Sequence, residues 1–156
     1  MTEQSTLPSG IEATPEREQI ANSVKKICDR YDDDFWSKKD QNKTFPFEFH
    51  AAMAESGWLG ITMPTEYGGA GLGVTEAALM MHTVGRSAGV FAACSSIHFN
   101  LFGPHAIIKY GSPEQKSRWI PRLISGEDKV AFGVTEPDAC LDTTRIKTRA
   151  IRRGAN

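Results

Sequence analysis

The side chains that most often bind metals or act as nucleophiles are few and scattered in this sequence. The chain contains three widely separated cysteines, Cys28, Cys94 and Cys140. Their odd number and the lack of a C-x-x-C pair favour neither a disulfide framework nor a zinc site. Three of the histidines also lack metal-ligand spacing: His50, His82 and His105. We therefore interpret these histidines as packing or surface residues and predict no metal centre.

Two short clusters could be mistaken for ligand-binding loops. The glycine run at 68–73 approaches the G-x-G-x-x-G pattern counted from Gly69, but Val74 stands at the last glycine position and no βαβ unit surrounds it. We interpret the run as a flexible connection. The acidic triplet 32–34 lacks the spaced oxygen ligands of a calcium loop, because consecutive side chains on a helix point in different directions. We interpret it as a solvated helix end.

A basic run near the carboxyl end could attract the phosphates of CoA or RNA. Its members are Arg145, Lys147, Arg149, Arg152 and Arg153. An exposed strand face followed by a tail is the interpretation we favour, because the net charge of the 156-residue chain is only -1. No apolar stretch approaches the roughly 20 residues that cross a bilayer. We expect no nucleic-acid partner, no membrane span and a cytoplasmic location.

The elements that would position any site are mainly helical up to residue 128. Apolar spacing and capping residues predict helices over 14–34, 46–56, 75–84, 90–102 and 104–110, and a further helix from 112 that carries Trp119 and Ile120. Residues 1–13 are expected to form a flexible tail, and 58–64 an extended stretch. The helix over 90–102 is apolar on most sides, which predicts burial on several sides.

From residue 129 the apolar period changes. The stretches 129–135 and 145–150 alternate as strands do, which predicts the first two strands of a β region. Two strands alone are marginally stable. The expected fold class is thus mainly α, with a helical domain over 14–128 and the start of a truncated β domain over 129–156.

Three stretches together resemble the acyl-CoA dehydrogenase family. They are Gly57-Trp58-Leu59-Gly60-Ile61 leading into Pro64-Thr65-Glu66-Tyr67-Gly68-Gly69, then Tyr110-Gly111-Ser112-Pro113-Glu114-Gln115-Lys116, then Phe132-Gly133-Val134-Thr135-Glu136-Pro137-Asp138-Ala139. Asp142 and Ile146-Lys147-Thr148-Arg149-Ala150 complete the pattern. The resemblance implies the amino-terminal helical domain of that family, followed by the first strands of its β-barrel middle domain.

The resemblance implies an FAD-dependent α,β-desaturation of an acyl-CoA thioester. A glutamate of the family's last domain removes the α-proton, and no residue of this chain matches it. We therefore expect the chain alone to be inactive. The resemblance also implies a downstream electron acceptor, such as an electron-transfer flavoprotein, and a homo-oligomer in the full-length protein.

The stretch 132–141 resembles the family's first flavin-binding segment. By that resemblance Val134 and Thr135 would meet the pyrimidine edge of the flavin through backbone N–H groups and a hydroxyl. Phe132 would pack near the flavin ring and the thioester, and Cys140 and Leu141 would lie near the cofactor. Phe132 and Leu141 would also contact the acyl substrate.

His98 and Asn100 belong to the helix that would form part of the acyl-pocket wall. The resemblance makes His98 a candidate substrate contact. For both residues we favour a buried, hydrogen-bonded polar side chain.

Cys140 and Leu141 depart from the family pattern, which has a glycine and a serine there. A glycine allows close backbone approach, and a serine offers a hydroxyl near the pyrophosphate. A Cβ at position 140 would cost roughly 1–2 kcal/mol if the site needs a positive φ. Leu141 offers no hydrogen bond.

Two alternatives remain open from the sequence. An acyl-CoA oxidase or a flavin monooxygenase would use the same architecture with different oxygen access. A non-catalytic, truncated helical binding module would keep the surface of the first domain without its chemistry.

Overall fold

The computed structural model describes residues 7–151 and 153–154. Seven α-helices account for most of the chain up to residue 124. They are α1 Pro15–Cys28, α2 Asp33–Gln41, α3 Phe47–Glu55, α4 Val74–Gly85, α5 Val90–Phe102, α6 His105–Tyr110 and α7 Pro113–Ile124. Short 3-10 turns occupy Trp58–Gly60, Thr65–Tyr67 and Thr143–Arg145. Arg152 and residues 1–6 of the predicted tail lie outside the described residues.

Side-chain caps start two of the helices where the sequence predicts. The Thr14 hydroxyl accepts a hydrogen bond from the Arg17 N–H at 3.3 Å, with Pro15 at the first helical position. The Ser112 hydroxyl accepts from the Gln115 N–H, and the Gln115 side chain accepts from the Ser112 N–H at 2.9 Å. These caps satisfy N–H groups that have no partner inside the helix.

The first predicted helix is divided in two, so its predicted extension to Asp34 is wrong. The helix α1 ends at Cys28. Asp32 then adopts an extended conformation and accepts a hydrogen bond from the Phe35 N–H at 2.9 Å, which starts α2. The acidic triplet therefore lies at a helix start, where carboxylates also interact favourably with the helix dipole.

The main core lies where α1, α3, α4 and α5 meet. Its fully buried side chains come from four helices, for example Val24, Phe49, Leu79 and Ile97. A second, smaller cluster of Met63, Ile120 and Leu123 holds α7 against the connection before α4. Leu7 and Ile11, which were predicted to lie in a flexible tail, pack against the main core.

The glycine run connects the second 3-10 turn to α4, as the sequence predicts. Its backbone donates back to the preceding segment, with Ala70 N–H to Gly60 O at 3.0 Å and Leu72 N–H to Ile61 O at 2.9 Å. A Cβ at Gly69 would lie 2.1 Å from Met63 O, so only glycine fits. The predicted extended stretch 58–64 is wrong, because it begins with a 3-10 turn and folds back on this loop.

The predicted strands over 129–135 and 145–150 are wrong for the described residues, which contain no strand. The only buried apolar residue of 129–151 is Ala139. Alternating side chains form a strand only when neighbouring backbone supplies hydrogen bonds. The division of the chain into a helical domain and the start of a barrel domain remains a prediction.

Candidate functional site

One side of helix α5 lies at the surface of the helical body and carries exposed aromatic residues. Its buried side carries Ala93, Ile97 and Asn100, whereas Phe99 and Phe102 are partly exposed. Phe91, at the start of α5, is 79% exposed. The prediction that α5 is buried on several sides is therefore wrong for this face. Exposed aromatic residues on one face mark a surface suited to another apolar group.

The segment that follows α7 packs against the exposed rings of α5. The rings of Phe102 and Phe132 meet edge to face, with centroids 5.2 Å apart. His98 lies beside Phe102 at 4.9 Å and beside Phe99 at 4.3 Å. We name the group His98, Phe99, Phe102 and Phe132 the aromatic face. Two of the predicted substrate contacts, His98 and Phe132, are thus brought to one surface.

Asn100 and Gly103 fix where the segment starts. The Asn100 amide donates to Leu123 O and to Asp128 O, both at 3.3 Å, so α5 holds the turn after α7. Asn100 is therefore a buried, satisfied polar residue, as predicted, whereas His98 is only half-buried. A Cβ at Gly103 would lie 2.4 Å from Val130 Cγ1, so the absence of a side chain lets the segment approach α5 closely.

Val134 and Thr135 offer free backbone donors. Their N–H groups make no hydrogen bond within the described part of the chain. Val134 is half-buried and Thr135 is exposed. Since buried polar groups are normally paired, the half-buried Val134 N–H is suited to an acceptor from elsewhere, and the exposed Thr135 N–H is open to one.

Glu136 holds together the rest of the segment. Its carboxylate accepts the Lys147 N–H at 2.9 Å, the Thr148 N–H at 2.7 Å and the Thr148 hydroxyl. The hydrogen bond from the Lys147 N–H, followed by those from Thr148, lowers the pKa of the Glu136 carboxyl. No role is predicted for this residue from the sequence. Local side-chain patterns reach only a few residues along the chain, whereas these partners lie 11 and 12 positions away.

The turn after Glu136 places Cys140 in the left-handed region, with φ +45°. The N–H groups of Ala139 and Cys140 both donate to Glu136 O. The positive φ agrees with the family's preference for glycine at this position. Leu141 is 99% exposed and contacts neither the aromatic face nor a polar group. The structure therefore does not bring Leu141 to Phe132.

Other candidate ligand groups stay apart. No group of three or more His, Cys, Asp or Glu side chains that could hold a metal ion occurs among the described residues. Arg145, Lys147 and Arg149 of the basic run are exposed. Within the described ranges, no helix combines the length and apolarity needed to span a membrane.

The helical body has a fold that is also found in solved structures. A solved structure described as an electron transferring flavoprotein of Acidaminococcus fermentans superposes with a TM-score of 0.81. The match covers 92% of this chain and 38% of the solved chain. At 24% sequence identity, it shows a shared fold alone.

Residues 14–127 match the family described as acyl-CoA dehydrogenase, N-terminal domain. The chain therefore belongs to the acyl-CoA dehydrogenase family. It is 36% identical over 138 residues to an acryloyl-CoA reductase (NADH) of Anaerotignum propionicum, a match that covers 88% of this chain and 34% of that protein. It is 33% identical over 141 residues to the mitochondrial isovaleryl-CoA dehydrogenase of Bos taurus, covering 89% and 33% respectively. The chain thus spans about a third of the length of these curated relatives.

Proposed function

We propose that this chain is the amino-terminal portion of an FAD-dependent enzyme that desaturates an acyl-CoA thioester. The observation that supports it most is the edge-to-face contact of Phe102 with Phe132 at 5.2 Å. This contact brings the segment with free N–H donors beside an apolar surface, so one site can meet both a flavin and an acyl chain. When bound, the flavin accepts the hydride that leaves the acyl β-carbon.

The aromatic face would contact the acyl part of the substrate. Its rings are partly exposed, and covering them with an aliphatic chain removes apolar surface from water, which is favourable by about 25 cal/mol per Å². His98 has no hydrogen-bond partner in the described part of the chain, so its ring can contribute either packing or a polar contact. We propose His98 and Phe132 as the substrate contacts, and we place Leu141 at the edge of the acyl-binding surface.

The backbone of Val134 and Thr135 would hold the pyrimidine edge of the flavin. Donors fixed there stabilise the negative charge that develops on that edge during reduction. Phe132 would pack near the ring system. Cys140 would lie where the backbone approaches the cofactor, and its positive φ supports that placement. These residues do not supply the proton-abstracting base, so the chain alone should not turn over.

The electron acceptor and the direction of the reaction are properties of the full-length enzyme. We propose an electron-transfer flavoprotein as acceptor and a homo-oligomer for the full-length protein. A reductase that runs in the opposite direction is a second candidate, favoured by the 36% identity to a protein named acryloyl-CoA reductase. Reduction of the full-length enzyme by NADH indicates the reductase, whereas reoxidation of the acyl-CoA-reduced enzyme by an electron-transfer flavoprotein indicates the dehydrogenase.

The substrate contact can be tested on the chain itself by NMR. Titration with an aliphatic acyl-CoA should shift the resonances of His98, Phe102 and Phe132, whereas CoA without an acyl group should leave them in place. Phe102→Ala should weaken the binding severalfold, because it removes the central ring of the aromatic face. Phe47→Ala is the matched control, since Phe47 is also an exposed ring, at 59%, but lies on α3.

Two outcomes would contradict the proposed substrate contact. Equal shifts with CoA alone would mean that the acyl group is not recognised by the aromatic face. Equal binding by the parent and by Phe102→Ala would mean that the acyl chain lies elsewhere. Acyl-CoA-dependent reduction of a dye by the chain alone, above a buffer control, would contradict its predicted inactivity.

The cofactor contact can be tested in a full-length version of the sequence. Cys140→Gly relieves a strained backbone conformation worth about 1–2 kcal/mol, and Leu141→Ser adds a hydroxyl whose hydrogen bond to a charged group is worth about 1.5–3 kcal/mol. The sites adjoin, so the effects should not be additive. Titration of the apo-enzyme with FAD measures them. A double variant that binds no more tightly than the parent would remove both positions from the flavin site.

A further inference from the structure

His50 is a buried titratable side chain that the proposed chemistry does not use. It lies on α3, is 3% exposed, and its Nε2 atom has no hydrogen-bond partner. The Phe45 ring lies beside it, with centroids 5.7 Å apart. Burial favours the neutral form of this imidazole, because it penalises the charged form.

The turn that follows α7 lies directly against the His50 ring. Gly126 has φ +73°, and a Cβ there would be 3.1 Å from His50 Cε1 and 2.9 Å from Ala54 Cβ. The same turn is held from the other side by Asn100, which donates to Leu123 O and Asp128 O. The turn is therefore clamped between α3 and α5, just before the segment that carries Phe132.

The charges around His50 disfavour its protonation. Burial lowers the pKa of His50, the positive charge of Lys129 lowers it further, and the Asn100 side chain acts in the opposite direction. Lys129 lies over the rings of Phe45 and Phe47, at 5.9 and 5.3 Å from their centroids. These rings keep the ammonium group on the same side as the imidazole.

The remaining charged groups on these elements are engaged with other partners or exposed. On α3, Glu48 pairs with Lys39 and Glu55 is exposed. On the turn, Asp128 pairs with Arg122 at 2.7 Å, and Glu127 pairs with the same arginine at 2.9 Å. No carboxylate in the described part of the chain forms an ion pair with His50.

We propose that His50 is an acid-sensitive clamp that holds the 125–129 turn, and with it the start of the segment carrying Phe132, against the helical body. In its neutral form the ring packs under Gly126. Once protonated, it must reach water and move away from Lys129, and the turn is the part that must open to allow this. The helical core below can stay folded, because the turn covers only its surface.

The direction of the pH dependence follows from the lowered pKa of His50. The clamp is fully formed above the ordinary histidine value of roughly 6.5. Its stabilising contribution is lost as the pH falls from there through the lower value in the folded protein. Acid therefore loosens the turn, and neutral pH closes it.

Amide hydrogen exchange of residues 126–130, corrected for the intrinsic pH dependence, measures the opening. We expect exchange protection to fall severalfold between about pH 7.5 and about pH 5.5 in the parent chain. His50→Gln should remove most of this pH dependence. Lys129→Gln should make the fall in protection smaller, because without the neighbouring positive charge the pKa of His50 lies closer to its ordinary value. His105→Gln, at an exposed histidine, should keep the parent profile.

The NMR titration of the His50 ring in the parent gives an independent readout. It should show a pKa below the ordinary value that rises in Lys129→Gln. A His50→Gln variant with the parent's acid-induced opening would overturn the proposal. If that variant does not fold, an unshifted His50 titration or an unchanged opening in Lys129→Gln would overturn it instead.

Discussion

The helical body and the segment 129–151 differ in how they are held in place. Each helix of the body except α6 buries at least one apolar side chain in one of the two core clusters, whereas the segment buries only Ala139. In the body, the backbone N–H and C=O groups form hydrogen bonds within each helix. The segment relies on side chains such as the Glu136 carboxylate. Local hydrogen bonding therefore makes the body self-sufficient, while the segment depends on what surrounds it.

Close packing is the property that distinguishes the body most sharply. A Cβ at Gly89 would lie 2.3 Å from Trp36 Cε2 and 2.5 Å from Cζ2. Gly89→Ala should therefore destabilise the body by about 1–3 kcal/mol, because overpacking forces buried side chains to shift. Chemical denaturation followed by tryptophan fluorescence measures the change in the free energy of unfolding.

Gly133 supplies the matched control in the segment. A Cβ there meets nothing within 4 Å. Gly133→Ala should therefore change the free energy of unfolding by less than about 0.5 kcal/mol. If both alanine variants behave alike, the contrast in packing between the two regions would be wrong.

Backbone strain is the next difference to test. Cys140 adopts φ +45°, which costs a side chain roughly 1–2 kcal/mol relative to glycine. Cys140→Gly should protect the amides of the 136–142 turn from hydrogen exchange, while Cys140→Ala should leave them unchanged. Loss of protection in the glycine variant would show that the extra chain entropy outweighs the relief.

Glu136 should have the smallest effect on overall stability. Glu136→Gln should speed the hydrogen exchange of the Lys147 and Thr148 amides severalfold and leave the unfolding of the body unchanged, since the carboxylate is on the surface. Because its pKa is lowered, the hydrogen bonds it accepts are fully formed above roughly pH 4.3, the ordinary glutamate value, and are lost as the pH falls through the folded-state value. An unchanged exchange rate in the variant would mean that the carboxylate does not hold the loop.

Most of the helical body could be predicted from the sequence because its signals are local. Two helix starts could be predicted because they depend only on neighbouring residues: Thr14 with Pro15, and Ser112 with Gln115. The division at Asp32 was missed, because an acidic residue can equally end one helix or cap the next. The apolar sequence of α5 could not reveal which of its faces lacks a neighbour.

The candidate site was harder to predict because it depends on distant contacts. The contact of Phe102 with Phe132 joins residues 30 positions apart. The prediction of strands was wrong because alternating side chains do not reveal which backbone a strand would pair with. The resemblance implies a glycine at position 140, and the positive φ of Cys140 is consistent with it. The roles of Val134, Thr135 and His98 in binding remain predictions.

The loop closed by Glu136 also has a consequence for the order of folding. It joins residues only 11 and 12 positions apart, and a loop of about 10 residues closes in roughly 10–100 ns. A ribosome adds only about 5–20 residues each second, so this loop can close before the next residue is added. The closure of this loop therefore needs no contact with the helical body, and it leaves the Val134 and Thr135 amides free.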